Sequence, residues 1–241
     1  EENSVMYLTE MDNVERVMIV CDPGMVNIGY TDIVEQVLRR RENQPQIKVF
    51  NEVEPNPSTH TVYKGVEMFI NFQPDTIIAL GGGSAMDAAK AIWMFFEHPE
   101  TSFFGAKQKF LDISKRTYKI TKPKNAKFIC IPTTSGTGSE VTPFAVITDS
   151  ETHVKYPLAD YALTPDIAIV DPQFVLSVPK DVAADTGMDV LTHAIESYVS
   201  VMASDYTRGL SLQAIKLTFD YLKLSVQEND KHSREKMHNA S

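Results

Sequence analysis

Asp189 and His193 stand four residues apart in Gly187-Met188-Asp189-Val190-Leu191-Thr192-His193-Ala194-Ile195-Glu196. On a helix that spacing brings the two side chains to about 5–6 Å, close enough to grip one cation. A carboxylate oxygen with an imidazole nitrogen is a borderline-hard donor pair suited to Fe(II), Zn(II), Mn(II) or Co(II). Taken alone the pair is a weak signal, because a histidine on a helix is usually structural.

Two loops of small residues point to anion chemistry. Gly81-Gly82-Gly83-Ser84 lies between an apolar run and a helix start. Glycines there let backbone amides approach a pyrophosphate, and the helix N-terminus favours its charge. The spacing is neither G-x-G-x-x-G nor a Walker A loop, and the plainer reading is a tight turn. The second loop, Pro132 to Glu140, offers the hydroxyls of Thr133, Thr134 and Thr137 to a phosphate or a carboxamide. Its plainer reading is a flexible polar loop, but two such loops at strand ends would face one crevice. Asp22 closes the first apolar run, where a carboxylate accepts from ribose hydroxyls and repels a 2′-phosphate, favouring NAD over NADP. Before Pro23-Gly24, an aspartate is also ordinary turn chemistry.

The other histidines carry no ligand spacing. His60, His98, His153 and His232 lie in loop-like or exposed contexts, and His238 falls in the last helical stretch. Cys21 and Cys130 each follow a β-rich apolar run and read as buried free thiols in a reducing compartment, hence the cytoplasm. The net charge of −9 and a pI near 5.2 argue against sequence-independent nucleic-acid binding. Leu38-Arg39-Arg40-Arg41 reads as a solvated helix end. No apolar stretch reaches the length of a membrane span, and nothing resembles a signal peptide.

These residues need elements to hold them, and the pattern supplies an alternation. Strands are expected at 17–20, a short continuous apolar run, and at 47–50, 76–80 and 128–131, with helices at 31–41, from a Ser58 cap onward, and at 85–96. Apolar strands joined by amphipathic helices mark a parallel sheet covered on two sides. A long polar and aromatic connection runs from about Glu97 to Lys127. Phe144 to Asp149 and Val154 to Tyr156 flank a turn and read as a hairpin, and 167–172 reads as one further strand. After Pro179 strand signals cease, and Ser204 to Val226 is an amphipathic helix. The expected domains are residues 1–179 and 180–241.

Together the segments resemble the iron-dependent (group III) alcohol dehydrogenases. The carriers are Gly81-Gly82-Gly83-Ser84-Ala85-Met86-Asp87-Ala88-Ala89-Lys90, Thr133-Thr134-Ser135-Gly136-Thr137-Gly138-Ser139-Glu140 and the Asp189/His193 stretch. Phe96 to Thr101, Lys155 to Asp166 and Tyr198 to Ser204 look like the alcohol dehydrogenase half of the bifunctional aldehyde–alcohol dehydrogenases. Ala85 departs from the proline the family often carries there.

The resemblance implies an α/β fold: a Rossmann-like N-terminal dinucleotide-binding domain, then the start of an all-α metal-binding domain. It implies NAD(H) and Fe(II), with Zn(II) as the other metal. Asp22 would contact the adenosine ribose, with Asn56 at the same end. Gly82, Gly83, Ser84 and Asp87 would hold the pyrophosphate, and Thr133, Thr134, Thr137, Val146 and Lys155 would line the cofactor cleft. Asp189 and His193 would be the first two of four metal ligands, the others lying beyond Ser241, so the chain is expected to be a piece of a larger polypeptide with little activity alone. No residue reads as a general acid. The implied reaction is hydride transfer between NADH and a small aldehyde, acetaldehyde to ethanol, reversibly, in a cytoplasmic homo-oligomer with no nucleic-acid or membrane partner. The alternatives are a glycerol-dehydrogenase-like or dehydroquinate-synthase-like enzyme, and a catalytically inactive nucleotide-binding or structural segment.

Overall fold

A computed structural model describes residues 3–111, 120 and 125–241. The chain divides into two compact units, each with its own interior: Val5–Ile131 with Ser139–Ile169, and Glu1–Ser4 with Pro132–Gly138 and Val170–Ser241.

The first unit is the strand–helix alternation. In chain order it holds β1 (Arg16–Val20), α1 (Pro23–Asn27), α2 (Tyr30–Leu38), β2 (Gln46–Phe50), α3 (Thr59–Phe72), β3 (Thr76–Gly81), α4 (Gly83–Glu97) and α5 (Phe103–Leu111). Then come β4 (Lys127–Pro132), β5 (Phe144–Thr148), β6 (Lys155–Ala159) and β7 (Ile167–Ala168). The main sheet runs β2-β1-β3-β4-β7, and β1 pairs in parallel with both β2 and β3. Val17 to Val20 and Thr76 to Gly81 are buried on both faces, which explains their unbroken apolar sequence. The edge strand β2 instead alternates, exposing Gln46 and Lys48, so the expectation of fully apolar strands fails at the sheet edge where only one face is covered. β5 and β6 form the expected antiparallel hairpin, Phe144 opposite Ala159 and Thr148 opposite Lys155.

Local chemistry sets several element ends. Ser58 caps α3, its Oγ accepting from the Thr61 N–H, as its sequence position predicts. α2 stops at Leu38, three residues short of expectation. Arg39 and Arg40 are exposed, but Arg41 is drawn inward, donating to the Leu8 carbonyl at 2.6 Å and to that of Met11. Those carbonyls lie in and just after a short 3-10 helix at Ser4–Thr9, and they recruit a cation expected in solvent. The last expected strand shrinks to Ile167–Ala168, because Asp171 turns to cap a 3-10 helix at Pro172–Val175, accepting from the Gln173 N–H. Part of the long connection folds as α5, which buries Phe103 and Ala106. Residues 112–119 and 121–124 of that connection lie outside the described residues.

The second unit is helical: α6 (Lys180–Val199), α7 (Asp205–Gln227) and α8 (Lys231–Ala240), with the loop Pro132–Gly138 and the 3-10 helix at Pro172–Val175. Ser204 caps α7 in a capping box with Thr207. Val190, Met237 and Ala240 form its small core with Leu217, Tyr221 and Leu222 against them. Gly187 lets α6 and α7 close, since a Cβ there would fall 2.1 Å from Leu222 Cδ1. No helix among the described residues is long and apolar enough to cross a membrane.

Candidate functional site

In the α/β unit the strand order reverses direction at β1/β3, the point where open parallel sheets bind ligands beyond their carboxyl ends. Asp22 follows β1 and Gly81 ends β3. A Cβ on Gly81 would lie 3.4 Å from Asp22 Oδ2 and only 2.7 Å from Ala85 Cβ, and its φ of +151° disfavours any side chain. Glycine is thus required by both space and backbone. Asp22 uses Oδ1 to cap α1, accepting from the Gly24 N–H at 2.7 Å.

The next residue, Gly82, is the N-cap of α4 and offers no side-chain cap to the helix's first amides. Helix geometry leaves those N–H groups without carbonyl partners, a ready anion site. Gly82, Gly83 and Ser84 are all half-buried there. Asn56 organises one flank: its N–H donates to Ser84 Oγ at 3.3 Å, and its Oδ1 accepts from Lys155 Nζ at 2.7 Å. Its φ of +57° and the Thr148 hydroxyl on its carbonyl hold that pose. The structure therefore gathers Asn56, Ser84 and Lys155 into one chain of contacts.

Asp87 and Lys90 form the other flank. Asp87 Oδ1 accepts from Ser139 Oγ at 2.7 Å and Oδ2 from the Val146 N–H at 2.9 Å, so both its oxygens are engaged within the protein. Burial pushes its carboxyl above the usual range against the pull of those donors and of Lys90. Lys90 was overlooked in the sequence. It is fully buried, donating to the carbonyls of Ser139 (2.6 Å), Thr142 (2.9 Å) and Phe144 (2.8 Å). Buried Glu140 lies near enough for the Lys90 charge to oppose the upward push that burial gives its carboxyl. The available signal was Asp87 and Lys90 at helical spacing inside an otherwise apolar helix.

In the helical unit Asp189 and His193 share one face of α6, with Asp189 Oδ1 3.5 Å from His193 Nε2. Two ligands of one tetrahedral ion stand about 3.3 Å apart when the bonds are about 2.0–2.1 Å, so the separation fits a shared cation. His193 Nδ1 lies 3.2 Å from the Gly136 carbonyl. A carbonyl only accepts, so Nδ1 carries the hydrogen and the Nε2 lone pair is left for a metal, the usual outer-shell arrangement of a ligating histidine. Gly136 is pressed against α6, where a Cβ would fall 2.8 Å from Thr186 Cβ. Thr133 on this loop is buried, while Thr134 and Thr137 are half-exposed. Among the described residues no group of three or more His, Cys, Asp or Glu stands ready to hold a metal. The donor pair fits a metal in type and spacing and supplies half of a tetrahedral set.

Two histidines are buried, and the first departs from its expected loop-like or exposed setting. His98 is buried at the end of α4, its Nδ1 3.2 Å from Glu100 Oε1. His238 is buried with Nδ1 3.1 Å from Ser135 Oγ. Cys21 and Cys130 are both buried, and burial beside Asp22 pushes the Cys21 thiol up to about 12.

Comparison with known proteins decides what these parts belong to. Residues 2–172 match the sequence profile of iron-containing alcohol dehydrogenases, and 183–241 that of the Fe-containing alcohol dehydrogenase family's C-terminal part. The chain belongs to the iron-containing alcohol dehydrogenase family. It is 60% identical to the aldehyde-alcohol dehydrogenase of Streptococcus pneumoniae, a match that takes in 100% of this chain and 27% of that protein. It is likewise 57% identical to aldehyde-alcohol dehydrogenase 2 of Entamoeba histolytica, over 100% of this chain and 28% of that protein. Among solved structures, sulfoacetaldehyde reductase from Bifidobacterium kashiwanohense in complex with NAD+ superposes with a TM-score of 0.84 at 30% identity, covering 100% of this chain and 61% of that one. The family's fold is thus the α/β architecture observed here, and the chain spans about a quarter of the length of these two aldehyde-alcohol dehydrogenases.

Proposed function

We propose that this chain is the cofactor-binding part and the first half of the metal site of an NAD-dependent alcohol dehydrogenase that reduces acetaldehyde to ethanol, reversibly. Residues 1–179 form the dinucleotide-binding domain, and 180–241 begin the helical metal-binding domain. The observation that carries the reading is the His193 imidazole, held by Gly136 with Nε2 open opposite Asp189. Its kinship with aldehyde-alcohol dehydrogenases supports a small aldehyde as substrate.

When bound, Fe(II), or Zn(II) in its place, supplies Lewis acidity toward a carbonyl oxygen, and NAD(H) supplies the hydride chemistry. The chain's own residues bind and orient. The free oxygen of Asp22 accepts from the adenosine ribose and repels a 2′-phosphate. The uncapped amides of Gly82, Gly83 and Ser84 donate to the pyrophosphate, with Asn56 and Lys155 fixing Ser84. Asp87 acts by holding Val146 in place beside the helix start, since its own oxygens are engaged. Thr133, Thr134 and Thr137 line the cofactor cleft. The buried cysteines support a cytoplasmic setting. By family resemblance the working protein would be a homo-oligomer.

The test is NADH oxidation by the full-length protein with added Fe(II), offered acetaldehyde and, separately, dihydroxyacetone. Turnover with acetaldehyde alone supports the assignment; turnover with dihydroxyacetone alone overturns it in favour of a glycerol-dehydrogenase-like enzyme. The 241-residue polypeptide itself is expected to bind NAD with little turnover, because it offers two metal donors among its described residues. Near-native turnover by that polypeptide would overturn this second statement.

A further inference from the structure

The loop Pro132–Gly138 is held to the helical unit at two adjacent residues by two different histidines. Gly136 accepts from His193 of α6, and Ser135 Oγ meets His238 of α8 at 3.1 Å. The first histidine is accounted for by the metal pair. The second has no place in the assigned chemistry, yet it is 3% exposed and sits in a helix with buried Ser233, Arg234 and Met237. Ser135 is its one hydrogen-bond partner among the described residues, and its Nε2 is unpaired among them. Burying an imidazole that makes one bond is costly, so the Ser135 bond is the polar contact that offsets part of that cost.

We propose that His238 is a positioning residue for the dinucleotide: through Ser135 it fixes the backbone of the loop whose Thr134 and Thr137 hydroxyls meet the cofactor. The proposal rests on the assignment of that loop to NAD(H) made above. Ser135 lies directly beside Thr134 and two residues before Thr137, so a shift at Ser135 moves both hydroxyls. Burial lowers the His238 pKa to about 4, although the Asp171 charge works against it, so the imidazole is neutral at working pH and can either donate to or accept from the serine hydroxyl. Arg234, one turn earlier on the same face, is already engaged with Asn229 and the Val178 carbonyl and does not compete for Ser135.

The experiment uses the full-length protein with its metal. His238→Leu keeps a buried side chain without the polar atom, Ser135→Ala removes the other partner, and His238→Asn restores a polar atom near the Nδ1 position. Direct calorimetric affinity for NADH and the split between KM and kcat are read for each, with hydrogen exchange of the Pro132–Gly138 amides alongside. His238→Leu and Ser135→Ala are each expected to weaken NADH about tenfold, the weight of one buried hydrogen bond. The double variant should be no weaker than either single one, because both remove the same contact. His238→Asn should recover most of the affinity, kcat at saturating NADH should change less than KM, and loop exchange should quicken in the two deleterious variants. Unchanged NADH affinity in His238→Leu, or losses that simply multiply in the double variant, would overturn the proposal. If the wild-type protein binds no NADH at all, the reading of the loop as a cofactor loop has failed. Quickened exchange in His238→Leu and Ser135→Ala would still show His238 holding the loop, and unchanged exchange would remove that role as well.

Discussion

The start of α4 and the Asp189/His193 face of α6 are both candidate binding sites, yet they are built in opposite ways. Around α4 nearly every polar group is tied to another protein group. Lys90 holds three carbonyls with no exposure, Asp87 bonds through both oxygens, and Asn56 bridges Ser84 and Lys155. On α6, Asp189 and His193 are 38% and 51% exposed. The difference teaches that the proposed dinucleotide site would be preorganised by folding itself, whereas the proposed metal site would present two donors on a helix face and need others that the described residues do not supply. The first should therefore be part of the core's stability, and the second nearly independent of it.

The strongest way to break that contrast is Lys90→Met. If the α4 site is integral to the fold, removing the ammonium leaves the carbonyls of Ser139, Thr142 and Phe144 without their shared donor and takes away the charge that opposes burial at Asp87 and Glu140, and costs about 3–5 kcal/mol in urea unfolding. A loss below about 1 kcal/mol would mean the α4 network is no more structural than the metal face.

A second test lies in acid. His238 is neutral in the fold, with its pKa lowered to about 4 by burial, and ordinary, near 6.5, when unfolded. The unfolded chain therefore binds the extra proton first, and stability present above pH 6.5 is lost as pH falls toward 4, levelling off below that. The loss is about 3 kcal/mol at most. Denaturant midpoints measured at pH 7, 5 and 4 check it, and His238→Leu should flatten the slope across that window.

The metal face should behave in the opposite sense. His193→Ala and Asp189→Ala are each expected to lower Fe(II) affinity of the full-length protein about 100-fold while changing unfolding by no more than about 0.5 kcal/mol. A large stability loss in either would erase the distinction between the two regions. A smaller effect sharpens the dinucleotide side: Asp22→Gly should shift the NADPH-to-NADH preference about tenfold toward NADPH, read from the ratio of kcat/KM values. The smallest is Ser204→Ala, which removes the α7 cap and its box with Thr207 and should cost about 1 kcal/mol by thermal or urea unfolding, without moving cofactor affinity.

Much of this molecule is legible before any coordinates. The buried strands are unbroken apolar runs, the Ser58 and Ser204 caps stand where helices begin, and Gly81 to Ser84 marks a strand-to-helix turn, because these are consequences of local sterics and of hydrogen bonds made within a few residues. Misreadings occurred where distant groups intervened. Arg41 was drawn inward by the carbonyls of Leu8 and Met11, and the strand at Ile167 ended early once Asp171 found a capping role.

What residue types and spacing determined by themselves was the alternation of strands and helices, the glycine turn and the pairing of Asp189 with His193, each set within one or two helical turns. Tertiary structure alone decided the rest. The strand order that sets Asp22 beside Gly81, the burial of Lys90 among carbonyls from 49 to 54 residues away, and the two histidines that hold adjacent residues of one loop all join groups distant in sequence. Periodicity carries no record of such contacts, because a buried polar side chain is defined by the partners that fold around it and not by its neighbours along the chain.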